Sequence, residues 1–199
     1  LHFGAVDQEC NVYLNGQLLG EHFGGYLAFE FDITKVLLEG ENVLTLRVQD
    51  WTEKKPHARG KQKLVRKGKM ASLFYTPQSG IWKTVWLESV AEEYVGSLKI
   101  TPMYDEATVE LKVNATGSRT SARVCILDGG KVIAEESFDV RDMVKIRLKD
   151  FVPWTPENPH LYDLKIMYGQ DEISSYFGMR KFSTGKDKNG ILRFFMNNE

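Results

Sequence analysis

The chain has 199 residues, is 42% hydrophobic and 12% aromatic, and carries a formal net charge of −1. That is enough apolar material for one or two packed cores, and the length favours two small domains. A balanced charge leaves no bulk field to recruit nucleic acid or a membrane surface, and no apolar run approaches the roughly 18 residues that a membrane-spanning helix requires.

In chain order, Leu1-His2-Phe3-Gly4 lacks the basic start and long apolar stretch of a signal peptide. It reads like the middle of a strand, so the chain is expected to begin inside a domain, with any export signal upstream. Val12-Tyr13-Leu14 running into Asn15-Gly16 predicts a tight hairpin, because Asn and Gly tolerate positive φ. Gly24-Gly25 before Tyr26 predicts a bend where backbone approaches something closely. Thr34 to Leu38 carries one short helical turn at most. Leu44, Leu46 and Val48 then alternate with polar residues, as do Val109, Leu111 and Val113, Val144, Ile146 and Leu148, and Leu164, Ile166 and Tyr168. Each pattern describes a strand with one buried and one wet face. Asp128-Gly129-Gly130-Lys131 marks a second hairpin. Many short strands with regular turns and little helical signal predict all-β sandwiches.

A boundary is expected near Ser89 to Tyr94, where Val90-Ala91-Glu92-Glu93 separates a strand ending at Leu87-Glu88 from one beginning at Val95. The second module spans roughly seven strands to about Thr184, the count of an immunoglobulin-like sandwich. Gly185 to Gly190 reads as a polar loop and Ile191 to Met196 as a last strand. Cys10 and Cys125 match no metal spacing and are expected to be separate buried thiols. Asn114-Ala115-Thr116 is a glycosylation sequon, without consequence in a bacterial protein.

Several segments could carry chemistry. Glu53 to Lys69 holds eight Lys or Arg and one His, His57, in seventeen residues. A phosphate-tracking patch would interleave aromatic platforms; this run has turns at Gly60 and Gly68 instead and reads as a solvated loop. Asp50 ends a strand where the chain enters that loop, so it either caps a turn or offers a carboxylate to a ligand. His22 and Tyr26 flank the double glycine, and a polar-tipped ring suits a sugar face. Trp82 and Trp86, with Thr84 between them, are expected on one strand face, as core, carbohydrate platform or, by preference, a docking face. Trp154, Pro156 and Pro159 predict a rigid loop, and Phe177-Gly178-Met179-Arg180 a late strand whose Arg pins a neighbouring turn or domain. The adjacent pairs Glu92-Glu93, Glu135-Glu136 and Asp171-Glu172 point to opposite strand faces and form no acid–base pair. No serine elbow, HExxH helix or phosphate loop is present in the sequence.

The run YTPQSGIWKTVWLE, Tyr75 to Glu88, follows FGAVD, VYLNG, HFGGY, FEFDIT and GENVLTLRVQD, and precedes WTPENPHLYDL and SYFGMRKFS. Over nearly the whole chain, these words in this order resemble the non-catalytic front half of glycoside hydrolase family 2, the β-galactosidase and β-glucuronidase type. The resemblance implies an N-terminally truncated, galactose-binding-like jelly roll over 1–90, an immunoglobulin-like sandwich over 91–185, and a linker and strand over 186–199. That last strand would lead toward a (β/α)8 barrel which, in the family, bears two catalytic glutamates and works by retaining double displacement. The chain itself is then expected to be inactive, with no catalytic residue, metal or cofactor of its own. Its implied partners are the barrel of the same polypeptide and, through it, a β-linked sugar. Neither nucleic acid nor membrane is implied; homo-oligomer contacts are, because a sandwich entered mid-strand leaves an edge unpaired.

The same resemblance makes Asp50, His22, Tyr26 and Arg59 candidates for a substrate rim. Arg59-Gly60-Lys61-Gln62 resembles a loop word of the sugar-binding module. In β-galactosidase-like members an Asp at the position of Asp50 reaches a sugar hydroxyl or a bound cation, both suited to a carboxylate. Trp82, Trp86, Trp154 and Arg180 become candidates for docking the barrel. β-Galactosidase is the first expectation for the parent enzyme, ahead of β-glucuronidase and β-mannosidase, in a bacterial cytoplasm or periplasm. A stand-alone carbohydrate-binding module and a cell-surface adhesion sandwich are the competing readings. The mid-strand start speaks against the first and the SGIWKTVWLE word against the second.

Overall fold

The computed structural model of the chain describes residues 1–64 and 73–199, which divide into two units, Leu1–Ser89 and Val90–Glu199. Arg66, Lys67 and Lys69 of the basic run lie outside the described residues.

The first unit is built from β1 (His2–Phe3), β2 (Val6–Asp7), β3 (Glu9–Leu14), β4 (Gln17–Phe23), β5 (Phe29–Glu30), β6 (Leu44–Gln49), β7 (Gly80–Ile81) and β8 (Val85–Trp86). All pairings are antiparallel, in sheets ordered β5-β1-β8 and β4-β3-β6 and a β2-β7 pair. Alternation along β3 buries Cys10, Val12 and Leu14 and leaves Glu9, Asn11 and Tyr13 half-buried. Those buried residues join Phe3, Val6 and Ile33 in the core, with Phe3 stacked on Phe29 at 4.8 Å between ring centroids. The β3–β4 hairpin turns at Asn15-Gly16 as expected, with Leu14 opposite Gln17. The Asn15 side chain also knots the following loop: its Nδ2 donates to Val36 O and Asn42 Oδ1, and its Oδ1 accepts the Val43 N–H. In β6 only Leu46 and Val48 pack on the core; Leu44, where this edge strand begins, is 38% exposed. Thr34 to Leu38 makes a single turn, with the Val36 and Leu37 N–H groups donating to Ile33 O.

The second unit has β9 (Tyr94–Met103), β10 (Thr108–Thr116), β11 (Ser121–Asp128), β12 (Lys131–Asp139), β13 (Met143–Arg147), β14 (Tyr162–Tyr168) and β15 (Asp171–Phe177). They form one sheet ordered β13-β10-β9 and one ordered β12-β11-β14-β15, the face-to-face arrangement of an immunoglobulin-like sandwich. Val109, Leu111 and Val113 from the first sheet, and Val124, Ile126, Leu164 and Ile166 from the second, form one core. Fully burying each such side chain contributes about 1.5–3 kcal/mol. Two core tyrosines keep their hydroxyls paired: Tyr162 Oη accepts the Val152 N–H at 2.7 Å, and the Tyr168 hydroxyl donates to Arg119 O at 2.6 Å. Both cysteines are buried free thiols.

Two expectations shift here. The late strand stops at Phe177, because Met179 is engaged by the Pro153-Trp154 segment: the Trp154 N–H donates to Met179 O at 2.9 Å. The polar loop is also shorter than 185–190, since β16 (Phe182–Lys186) runs to Lys186 and pairs with β17 (Leu192–Met196). Asp187 closes that hairpin, its Oδ1 accepting the N–H groups of Asn189 and Ile191.

Candidate functional site: a polar and aromatic cleft on the first unit

The pairing of β2 with β7 sets Asp7 opposite Gly80 and Val6 opposite Ile81. Beside this pair lies an open cleft of about 500 Å³, lined by Asp7, Gly25, Tyr26, Gln62, Gln78, Ser79, Gly80, Ile81 and Trp82. The two arms of the loop that follows β6 are joined at its rim. Lys63 N–H donates to Tyr75 O, Tyr75 N–H to Lys61 O, and Gln78 N–H to Gln62 Oε1. The Trp82 indole N–H donates to Gly25 O at 2.7 Å, and the Tyr26 ring meets Trp82 edge-on at 6.0 Å.

The close approach expected at the double glycine is made by a carboxylate. A Cβ at Gly25 would lie 2.6 Å from Asp7 Oδ1, so only glycine lets Asp7 rest against that backbone. Gly80 serves differently: nothing crowds it, but its φ of +99° is strained for any residue with a side chain.

Asp50 stands at the end of β6, behind the cleft wall. Its Oδ1 accepts the Thr52 N–H at 2.7 Å, and its Oδ2 accepts Thr52 Oγ1–H at 3.2 Å and Ser79 Oγ–H at 2.9 Å. His57 Nε2 lies 3.7 Å away, and the two side chains are only 6% and 4% exposed. Burial pushes the Asp50 carboxyl up, but the Thr52 amide, the Ser79 and Thr52 hydroxyls and His57 together hold it below its ordinary value. Asp7 goes the other way: burial first, then the nearby Asp50 charge, raise it against the pull of His57 and Gln62. Asp7 and Asp50 thus influence one another and are displaced in opposite directions. His57 Nδ1 is buried without a hydrogen-bond partner among the described residues.

The remaining candidates separate. Tyr26 and Trp82 line the cleft; His22 and Arg59 do not. His22 stacks on Phe29 at 4.0 Å and bonds Gly24 O through Nε2, while the Arg59 carbonyl accepts the Gln62 N–H. Trp82 and Trp86 do not share a strand face. β7 pairs with β2 and β8 with β1, in different sheets, and the residues between them follow a break in the partner chain: Trp82 N–H donates to Ala5 O and Gly4 N–H to Thr84 O. Trp86 instead stacks on His2 at 4.9 Å, and the His2 nitrogens lie 3.0 Å from Glu30 and 3.1 Å from Glu88. In the second unit the Arg180 guanidinium covers Trp154 at 4.8 Å and Phe182 at 5.5 Å.

Four of the adjacent acidic residues have structural partners: Glu93 with Arg119, Glu135 with Arg123, Glu172 with Lys165, and Asp171 with the Val95 N–H. Among the described residues no three His, Cys, Asp or Glu gather to hold a metal ion. Asp50, with both oxygens engaged by donors, does not by itself fit a cation. Sequence reasoning passed over Asp7, Gln62, Gln78 and Ser79. The signal available was positional: Asp7 sits in FGAVD and Ser79 in SGIW, words already quoted for the resemblance.

The chain is an all-β protein of two units, with an aromatic and carboxylate-bearing cleft on the first. Residues 1–90 match the family model described as the glycosyl hydrolases family 2 sugar binding domain, and residues 93–180 match the glycosyl hydrolases family 2 model. The chain belongs to glycoside hydrolase family 2. It is 30% identical over 198 residues to a putative β-glucuronidase of Formosa agariphila, covering 92% of this chain and 23% of that protein. It is 26% identical over 200 residues to a β-galactosidase of Thermoanaerobacter pseudethanolicus, covering 93% and 25%. Among solved structures it resembles a β-glucuronidase of an uncultured Clostridium, with a TM-score of 0.71, 25% identity, and coverage of 100% of this chain and 34% of that one. The chain thus spans about a quarter of the length of these curated relatives.

Proposed function

We propose that this chain is the non-catalytic accessory region of a retaining family 2 exo-β-glycosidase, of β-galactosidase type. It supplies scaffold and part of the active-site rim, while the two catalytic carboxylates reside in a barrel of the same polypeptide. The observation that carries this reading is the cleft beside the β2–β7 pair, with Asp50 at the end of β6 behind its wall. There a buried carboxylate, Asp50, is tied through Ser79 to a polar and aromatic wall. Retaining chemistry needs two carboxyl groups roughly 5–5.5 Å apart around a scissile bond, whereas Glu93, Glu135 and Glu172 are each committed to a cation. The Asp50 rim role and docking by Trp82, Trp86, Trp154 and Arg180 belong to this proposal.

The test is turnover of nitrophenyl β-glycosides. The 199-residue chain alone should match a heat-treated control. The same chain joined to the rest of its polypeptide should hydrolyse a β-galactoside. Turnover by the chain alone, lost on substituting one of its own residues, would overturn the reading.

A further inference from the structure

Independently of the accessory role, we propose that Asn189 is a site of spontaneous covalent modification, in which the Gly190 nitrogen converts its carboxamide to aspartyl and isoaspartyl products, and that the fold shields the chain's other Asn-Gly pair, Asn15-Gly16, from the same reaction.

The sequence holds two Asn-Gly pairs, at 15–16 and at 189–190. Both are open on the glycine side. A glycine has no Cβ to screen its backbone nitrogen, and even a Cβ built at Gly16 or Gly190 would meet nothing within 4 Å. That nitrogen, once it has given its proton to solvent, is the nucleophile. It bonds to the Asn Cγ, the Cγ–Nδ2 bond breaks, and ammonia leaves after taking up a proton from solvent, which closes a cyclic imide. Water then adds to one of the two imide carbonyls. Opening on the Cγ side returns an aspartyl residue; opening on the main-chain side leaves the backbone running through Cγ, an isoaspartyl link. No group is oxidised or reduced, and water is the only co-reactant.

The two sites differ in the freedom of the carboxamide. At Asn15 three hydrogen bonds hold it in place: Nδ2 donates to Val36 O at 3.0 Å and to Asn42 Oδ1 at 2.8 Å, and Oδ1 accepts the Val43 N–H at 2.9 Å. The Asn15 N–H also donates to Val43 O at 2.8 Å, so one partner fixes both main chain and side chain. Asn189 is exposed, in the turn between β16 and β17. The hydrogen bonds described at that turn run through main-chain groups and the Asp187 carboxylate. Asp187 O accepts the Gly190 N–H at 2.9 Å, and Asp187 Oδ1 accepts the N–H groups of Asn189 at 2.8 Å and Ile191 at 3.0 Å. Reaction at Asn189 thus requires release of the Gly190 bond at an exposed tip, whereas reaction at Asn15 requires the whole side-chain knot to open. Exposed tips open at the low end of local-unfolding free energies, and a side chain that ties two segments of a packed unit opens higher on that scale.

The experiment ages the 199-residue chain in warm, mildly alkaline buffer, with and without urea, and maps its peptides by mass for the amide-to-acid gain and by elution for the isoaspartyl form. In the folded chain Asn189 should convert about tenfold faster than Asn15 or more, and in urea the two rates should converge. Asn42→Ala removes one acceptor of the knot and should speed conversion at Asn15 severalfold while leaving Asn189 unchanged. Circular dichroism reports the fold of that variant; if it does not fold, the urea comparison is read in its place. Equal rates in the folded chain, a faster Asn15, no conversion at Asn189 while the urea sample reacts, a rate gap that survives urea, or a folded Asn42→Ala with Asn15 unchanged overturns the inference.

Discussion

Asp50→Ala removes the acceptor for three donors at once, the Thr52 N–H, the Thr52 hydroxyl and the Ser79 hydroxyl. A hydrogen bond to a charged group contributes about 1.5–3 kcal/mol net, and a buried donor left unpaired costs about 1–3 kcal/mol. The three bonds share one carboxylate, so they do not add in full. Thr52 is 6% exposed and its amide is stranded by the change, whereas the Ser79 residue, on the cleft wall, rehydrates. The loss is therefore about 2–4 kcal/mol, confined to the first unit. For a unit of this size each kcal/mol moves the melting temperature by about 4–8 °C, so the shift is on the order of 10–30 °C. Asp50→Asn keeps an acceptor for the Thr52 amide and should lose about half as much. Thermal unfolding with amide hydrogen exchange is the assay: protection should fall within Leu1–Ser89 and hold within Val90–Glu199. A change below about 0.5 kcal/mol would refute the turn-cap energetics, since that is the scale of an ordinary surface substitution. The same variant in the whole polypeptide tests the rim role. A contact to a sugar hydroxyl in the transition state worth about 1.5–3 kcal/mol is roughly ten- to a hundredfold in rate. Normal kinetics in the surviving folded enzyme would sink that assignment.

Asp7→Asn should behave oppositely. Its folded pKa is raised, so its ionisation costs stability as pH climbs above the ordinary value of 3.8; the variant should melt higher at neutral pH and match the parent in acid, as calorimetry at two pH values would show. In the second unit Tyr162→Phe orphans the Val152 N–H and should cost about 1–3 kcal/mol by denaturant titration, with the first unit untouched. Ile126→Ala opens a cavity in a fully buried position and should cost about 2–5 kcal/mol. Glu93, Asp139 and Asp187 all have lowered pKa values, Asp139 down to about 2 beside Arg141, so their contribution is present above about pH 4.5 and lost toward pH 2. A second-unit melting temperature that stays flat over that window would contradict this.

What could be read from the sequence follows strand length. β10 and β14 run for 9 and 7 residues, long enough for period-2 burial to repeat several times, and their alternation predicted the core positions Val109, Leu111, Leu164 and Ile166. In the first unit β1, β2, β5, β7 and β8 are two residues each, too short for any period to register. Placing Trp82 and Trp86 on one strand face fails because nothing within that segment shows that its partner breaks at Gly4-Ala5; a kink imposed by a neighbour is invisible in the kinked chain. The same limit hid the cleft. Its residues come from β2, the bend at Gly25, the loop at Gln62 and the entry to β7, four segments joined only by tertiary pairing. Asp50 stood out because a carboxylate at a strand end is conspicuous locally. Asp7 looked like an ordinary strand residue; only the fold brings it against Gly25 and near Asp50.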